Sequence, residues 1–227
     1  AMVEKVTGEH IIVMRLMVYL ISLLTLFAVF KLALTLTDNK DISAIAVWIF
    51  AFMPTFFYNS TSIMPDVLAL CFGMFYVLYF FKHLKSNKRS DLFYAALFIA
   101  LAGLAKLPFI LLGILSFIRA VELMFKSQPN RWQEVFRYAS VKAIALLPVM
   151  AWYAMVIPEW KDNNITDGFI TNFVGWPLFK EFLKNQIYVN FPTEILNIPA
   201  LLLFFAGVFF ILKTRKVFLA RPMYFFI

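Results

Sequence analysis

Cysteine, histidine and glycine are scarce in this chain, and each shortage closes off chemistry. Cys71 is the only cysteine among 227 residues, so no disulfide forms within the chain and no cysteine-based metal site is available. The two histidines, His10 and His83, fall in different predicted loops, which argues against a histidine zinc site. With seven glycines, no phosphate-cradling glycine loop occurs, and no serine-centred nucleophile motif appears. Charge is also thin, at 15% of residues, and acids are outnumbered 13 to 21 by Lys and Arg.

Apolar residues fill the space, at 63% of the chain with a mean hydropathy of +0.81. A soluble fold of this length has too little interior to hide so much apolar surface, so lipid must solvate much of it. The net charge of +8 lies in short loops beside apolar runs, where it sets orientation and meets anionic lipid, and nucleic acid is excluded as a partner.

The apolar runs give an all-α, polytopic transmembrane bundle of about seven spans. These are Ile11–Leu36, Ile42–Tyr58, Pro65–Phe81, Leu92–Phe125 counted twice, Ala139–Ile157 and Ile198–Leu212. As one helix Leu92–Phe125 would be about 50 Å long, too long for a bilayer. Lys106 and Pro108 break it, so it reads as a hairpin of two short helices with Lys106 at the tip. Asn59–Met64 reads as an uncharged polar loop ahead of Pro65.

Basic residues support that path. Lys82, Lys85, Lys88 and Arg89, then Lys126, Arg131 and Arg137, then Lys213, Arg215, Lys216 and Arg221 all fall on one side. The other side carries Lys5, Lys106, Lys161, Lys180 and Lys184, partly offset by Glu159, Asp162, Asp167, Glu181 and Glu194. By the positive-inside rule the N-terminus lies outside and the C-terminus inside. A single span at Leu92–Phe125 would put Lys126–Arg137 outside and weaken the asymmetry.

Residues 1–227 then form one transmembrane domain, with 158–197 as its largest outer loop. Within it Pro177–Tyr188 places Leu178, Phe179, Phe182, Leu183 and Ile187 opposite Lys180, Glu181 and Lys184. That is an amphipathic helix resting on the outer leaflet or packed on top of the bundle. Asn59-Ser60-Thr61 and Asn164-Ile165-Thr166 match the glycosylation acceptor pattern. Ala1 is not an initiator Met and Met223–Ile227 resembles the start of another apolar run, so the chain reads as part of a longer protein.

Three charged residues stand out on the outer side. Asp66 opens the third span, where a helix start favours an acid and where an acid can also line a site. Lys106, in Gly103-Leu104-Ala105-Lys106-Leu107-Pro108, either snorkels or offers its ammonium to an anionic headgroup. Arg15, one turn inside the first span, either snorkels or binds an anion bidentately. Asp66 and Lys106 either pair with each other or share a site. Lys31 and Arg119 read as interface anchors. No cofactor is expected. Asp162 and Asp167 offer a divalent ion two carboxylates, short of the roughly six to eight oxygens calcium takes.

The order of these features resembles the GT-C superfamily of polyprenyl-phosphate-sugar-dependent glycosyltransferases, near protein O-mannosyltransferases and lipid A aminoarabinose transferases. Three stretches carry the resemblance. Gly8-Glu9-His10-Ile11-Ile12-Val13-Met14-Arg15-Leu16 is similar to the family's Gly-to-Arg-Leu entry into a span. Ser62-Ile63-Met64-Pro65-Asp66-Val67-Leu68 is similar to its Pro-Asp segment. Leu101-Ala102-Gly103-Leu104-Ala105-Lys106-Leu107-Pro108 is similar to its lysine- and proline-bearing hairpin. The likeness covers about Gly8–Leu115.

The resemblance implies an integral membrane enzyme of the bacterial inner membrane or the endoplasmic reticulum. It would transfer a sugar from a polyprenyl-phosphate donor to a protein, lipid or glycan acceptor on the outer or lumenal face. Asp66 would line the active-site cavity, and Lys106 and Arg15 would bind donor phosphate. The family's usual base, an acid on a first outer loop, belongs upstream of Gly8, so residues 1–227 alone are expected to be inactive. A transporter or channel fragment and a non-catalytic membrane scaffold are the alternatives. Transport would call for a second broken helix matching Lys106–Pro108.

Overall fold

The computed structural model describes residues 11–125 and 131–156, with a few isolated positions between 180 and 206. The outer loop 158–197, its amphipathic helix and the span Ile198–Leu212 lie almost wholly outside these residues. So does the entry segment up to His10.

The described residues are helical and contain no strand: α1 (Ile11–Thr37), α2 (Lys40–Ala51), α3 (Pro54–Thr61), α4 (Pro65–Ser86) and α5 (Arg89–Ala105) come first. A 3-10 segment (Leu107–Gly113), α6 (Ile114–Phe125) and α7 (Arg131–Val156) follow. The chain is an all-α transmembrane bundle, as its apolar runs require. Hydrophobic side chains such as Leu16, Leu20, Leu24 and Phe27 on α1 are exposed, as helices solvated by lipid permit.

Local chemistry sets the ends. On α1 the hydroxyls of Ser22, Thr25 and Thr35 donate to carbonyls one turn earlier at 2.9, 2.9 and 2.7 Å, so these hydroxyls are satisfied within the helix. Asn39 caps α2, its side-chain oxygen accepting from the N–H groups of Asp41 and Ile42 at 2.8 and 3.1 Å. Pro54 ends that run and starts α3 at 67° to α2. Pro65 starts α4, which Asn87 closes in the left-handed conformation at φ 55°. Lys106 is extended at φ −157°, ψ 118°, which stops α5 before Pro108 enters the 3-10 turn.

The break folds the chain back. The start of α5 and the end of α6 meet in one buried cluster with α4 and α7: Leu92, Leu123, Tyr76, Phe80, Ile99 and Tyr138 all belong to it. Near the tip, Gly73 and Gly103 make room. A Cβ at Gly73 would lie 2.7 Å from Leu112, and one at Gly103 would lie 2.8 Å from Ile110 and 3.2 Å from Val149. Small residues here let the 3-10 segment press between α4 and α5.

Two corrections follow. The count of about seven spans is only partly met: four described helices are long and apolar enough to cross a bilayer, or five if the bent α2–α3 pair is one span. The outgoing hairpin limb, α5, has 17 residues and begins Arg89-Ser90-Asp91. Its apolar part is about 21 Å long, short of about 30 Å of hydrocarbon. The polar stretch expected as a loop from Asn59 is helical as far as Thr61, because Ser60 and Thr61 turn their hydroxyls onto the carbonyls of Phe57 and Tyr58 at 2.8 and 2.9 Å.

Candidate functional site

Both ends of the bundle carry charge, in different arrangements. At one end Lys85 donates to both oxygens of Asp38 at 2.8 and 2.6 Å, tying the α1–α2 turn to the end of α4. His83 is buried there, with Nδ1 2.7 Å from the Lys88 carbonyl oxygen. Arg119, read as an interface anchor, pairs with Glu122 one turn along α6 at 2.8 Å. The Lys85–Asp38 pair is open to solvent, at 56% and 75% side-chain exposure, and fastens the α1–α2 turn to α4.

The opposite end holds the candidate residues Asp66 and Lys106. Asp66 sits in the first turn of α4, where the helix dipole favours its carboxylate. Lys106 sits at the junction of α5 and the 3-10 segment, and its ammonium donates to Asp66 Oδ1. The side chains of Lys106 and Asp66 keep 42% and 25% of their exposure, so an arriving ligand reaches both. Pairing and sharing a site were open alternatives from the residues alone; the structure pairs them and leaves the pair reachable.

Arg15 lies at the same end without touching the pair. The ends of α1 and α4 meet where Lys85 Nζ lies 3.3 Å from the Thr35 carbonyl, and Thr25 contacts Cys71, so α1 and α4 run parallel. Counting residues from these two contacts puts Arg15 about 2 to 8 Å nearer the helix ends than Asp66. It is exposed, with no hydrogen bond or ion pair among the described residues. Two of the three expected site residues therefore meet and the third stands at the rim.

Sequence reasoning passed over Lys142, inside α7. Its ammonium donates to the Tyr76 hydroxyl at 2.7 Å, lies 3.4 Å from the Gly113 carbonyl oxygen and sits 4.6 Å from the centre of the Tyr76 ring. The Tyr76 hydroxyl also shares a hydrogen bond with Ser116 Oγ at 2.8 Å. An ionisable residue within an apolar run was the available signal.

Among the described residues no three His, Cys, Asp or Glu side chains gather as a metal site, and Asp162 and Asp167 lie outside these residues. The chemistry on offer is a carboxylate and an ammonium, mutually neutralised and reachable. An anion arriving at Lys106 competes with Asp66 for the ammonium and leaves the carboxylate free to accept a hydroxyl. That suits electrostatic stabilisation of a leaving anion.

No curated protein and no solved structure matches the chain. The family model for dolichyl-phosphate-mannose-protein mannosyltransferases matches residues 1–154, which include Arg15, Asp66, Lys106 and Lys142. That span is more than half of the sequence, and its helices are those of a membrane protein; the chain belongs to the dolichyl-phosphate-mannose-protein mannosyltransferase family and is an integral membrane glycosyltransferase.

Proposed function

We propose that the Asp66–Lys106 end of the bundle receives a polyprenyl-phosphate-linked sugar, of which dolichyl phosphate mannose is the form the family description names. The observation that carries the reading is a reachable ammonium held at a hairpin tip by a carboxylate on another helix. Lys106 binds the donor phosphate, and Arg15, at the rim, adds a second positive charge as the headgroup enters. Asp66, released from Lys106, lines the cavity.

The acceptor is a hydroxyl of a protein, lipid or glycan. Its oxygen bonds to the sugar's anomeric carbon as the bond from that carbon to the phosphate oxygen breaks. The electron pair leaves with the polyprenyl phosphate, and the acceptor's proton passes to a carboxylate base outside the described residues. Lys106 opposes the charge gained by the leaving phosphate, so its effect grows toward the transition state. The basic clusters support an outer or lumenal setting for this end, in a bacterial inner membrane or the endoplasmic reticulum.

The test is sugar transfer by the full-length protein in lipid vesicles, with polyprenyl-phosphate mannose as donor. Asp66→Asn and Lys106→Ala are each expected to remove transfer without loss of expression. Normal rates in both variants would sink the assignment.

A further inference from the structure

The place of Lys142 within an apolar run invites an explanation that packing alone does not supply. Two routes place its ammonium well away from the Asp66–Lys106 end. Tyr76 lies ten residues along α4 from Asp66, or about 15 Å. Gly113 is seven residues past Lys106 in a 3-10 rise of about 2 Å each, or about 14 Å. Lys142 is three residues into the Ala139–Ile157 apolar run, or about 5 Å along α7. A cation within an apolar run is costly, and no carboxylate lies within ion-pair reach among the described residues.

Its partners are all neutral, and they converge on two elements. Tyr76 is on α4, the helix that begins with Pro65-Asp66. Gly113 and Ser116 are on the returning limb of the hairpin whose tip is Lys106. Lys142 reaches the limb directly at the Gly113 carbonyl, and again through the Tyr76 hydroxyl to Ser116. Tyr76 is fully buried and Ser116 is 3% exposed, so neither hydroxyl has water as a substitute partner. One cation on α7 thus joins the two elements that carry the two halves of the charge pair.

We propose that Lys142 is a positioning residue. It fixes the height of the returning limb against α4 and so holds Lys106 opposite Asp66. Its consequence for sugar transfer rests on the donor-site reading above; the positioning itself does not.

The test uses the full-length protein in detergent. Each lysine is acylated with a water-soluble N-hydroxysuccinimide ester, and initial rates are read site by site by peptide mass spectrometry. Lys142→Met keeps a long apolar side chain and removes the donor; Tyr76→Phe keeps the ring and removes the relay hydroxyl. Asp66→Asn gives the rate of an unpaired Lys106. Lys85, paired with Asp38 at the far end, reports general loosening.

In both variants Lys106 is expected to acylate several-fold faster, toward the Asp66→Asn rate, with Lys85 unchanged. A wild-type rate at Lys106 would overturn the proposal, as would equal rises at both lysines. Failure of both variants to accumulate as folded protein would also overturn it, by making the network a requirement of folding. Faster acylation with unchanged sugar transfer would uphold the positioning role and remove the donor-site reading.

Discussion

Lys106 donates a hydrogen bond to the Asp66 carboxylate across 40 residues of sequence, joining the tip of one hairpin to the first turn of another helix. The pair is partly exposed, at 42% and 25% of the two side chains. Exposed ion pairs contribute about 0.2–1 kcal/mol to stability, because solvent screens them and side-chain entropy opposes them. A group that stabilises a transition state does more than this, about 3 kcal/mol or beyond.

Stability and activity should therefore separate at this pair. Asp66→Asn and Lys106→Met are expected to lower the melting temperature by only a few degrees, while each reduces sugar transfer by about a hundredfold or more. Thermal unfolding and donor turnover, measured on the same preparations, check this. A large loss of melting temperature in step with activity would show a structural pair.

The two close glycines should respond to the size of the added side chain. Gly103→Ala puts a Cβ 2.8 Å from Ile110 Cγ1, so Ile110 must shift, at a cost of about 1–3 kcal/mol. Gly103→Leu has no room between Ile110 and Val149 and should prevent the 3-10 segment from closing on α5. The yield of monodisperse protein in detergent reads the difference, with Gly73→Leu expected to follow Gly103→Leu. Equal yields for Ala and Leu at position 103 would mean that this approach is not tight.

At the opposite end Asn39 makes a defined contribution. Its side chain accepts from two otherwise unpaired N–H groups of α2, and replacing such a cap by Ala costs about 1 kcal/mol. Asn39→Ala should lower the melting temperature by a few degrees and leave transfer unchanged, since Asn39 lies at the Lys85–Asp38 end. Asn39→Asp should retain nearly all of the stability.

How far the sequence could be read depended on whether the signal was local. The Leu92–Phe125 hairpin was legible because Lys106 and Pro108 interrupt one run, and because the basic clusters make sense only if the chain turns there. Asp66 was legible because a proline and an acid opening an apolar run mark a helix start. The 3-10 segment was not, since its shape comes from fitting Leu112 and Ile110 beside Gly73 and Gly103. Asn59–Thr61 read as loop by composition, yet its serine and threonine hydroxyls satisfy carbonyls of their own helix. Lys142 was the most distant case: its partner Tyr76 lies 66 residues away, and only packing shows that the two meet.

The last prediction concerns which face each end meets. Cys71 is 3% exposed and sits within α4, so it should not react with a maleimide that cannot cross the membrane. Residues 1–227 then give a silent background for single added cysteines. Ile63, in the link before Asp66, and Asn87, at the far end of α4, are separated by about the full length of that helix. By the positive-inside rule the Lys82–Arg89 cluster faces the cytoplasm. Ile63→Cys should label in sealed cells or right-side-out vesicles, while Asn87→Cys should label only after permeabilisation. The reverse pattern would put Asp66 and Lys106 on the cytoplasmic face, where a donor presented from the outer leaflet would not reach them. Labelling of both cysteines before permeabilisation would show that α4 does not cross the membrane, and would remove the bundle's topology with it.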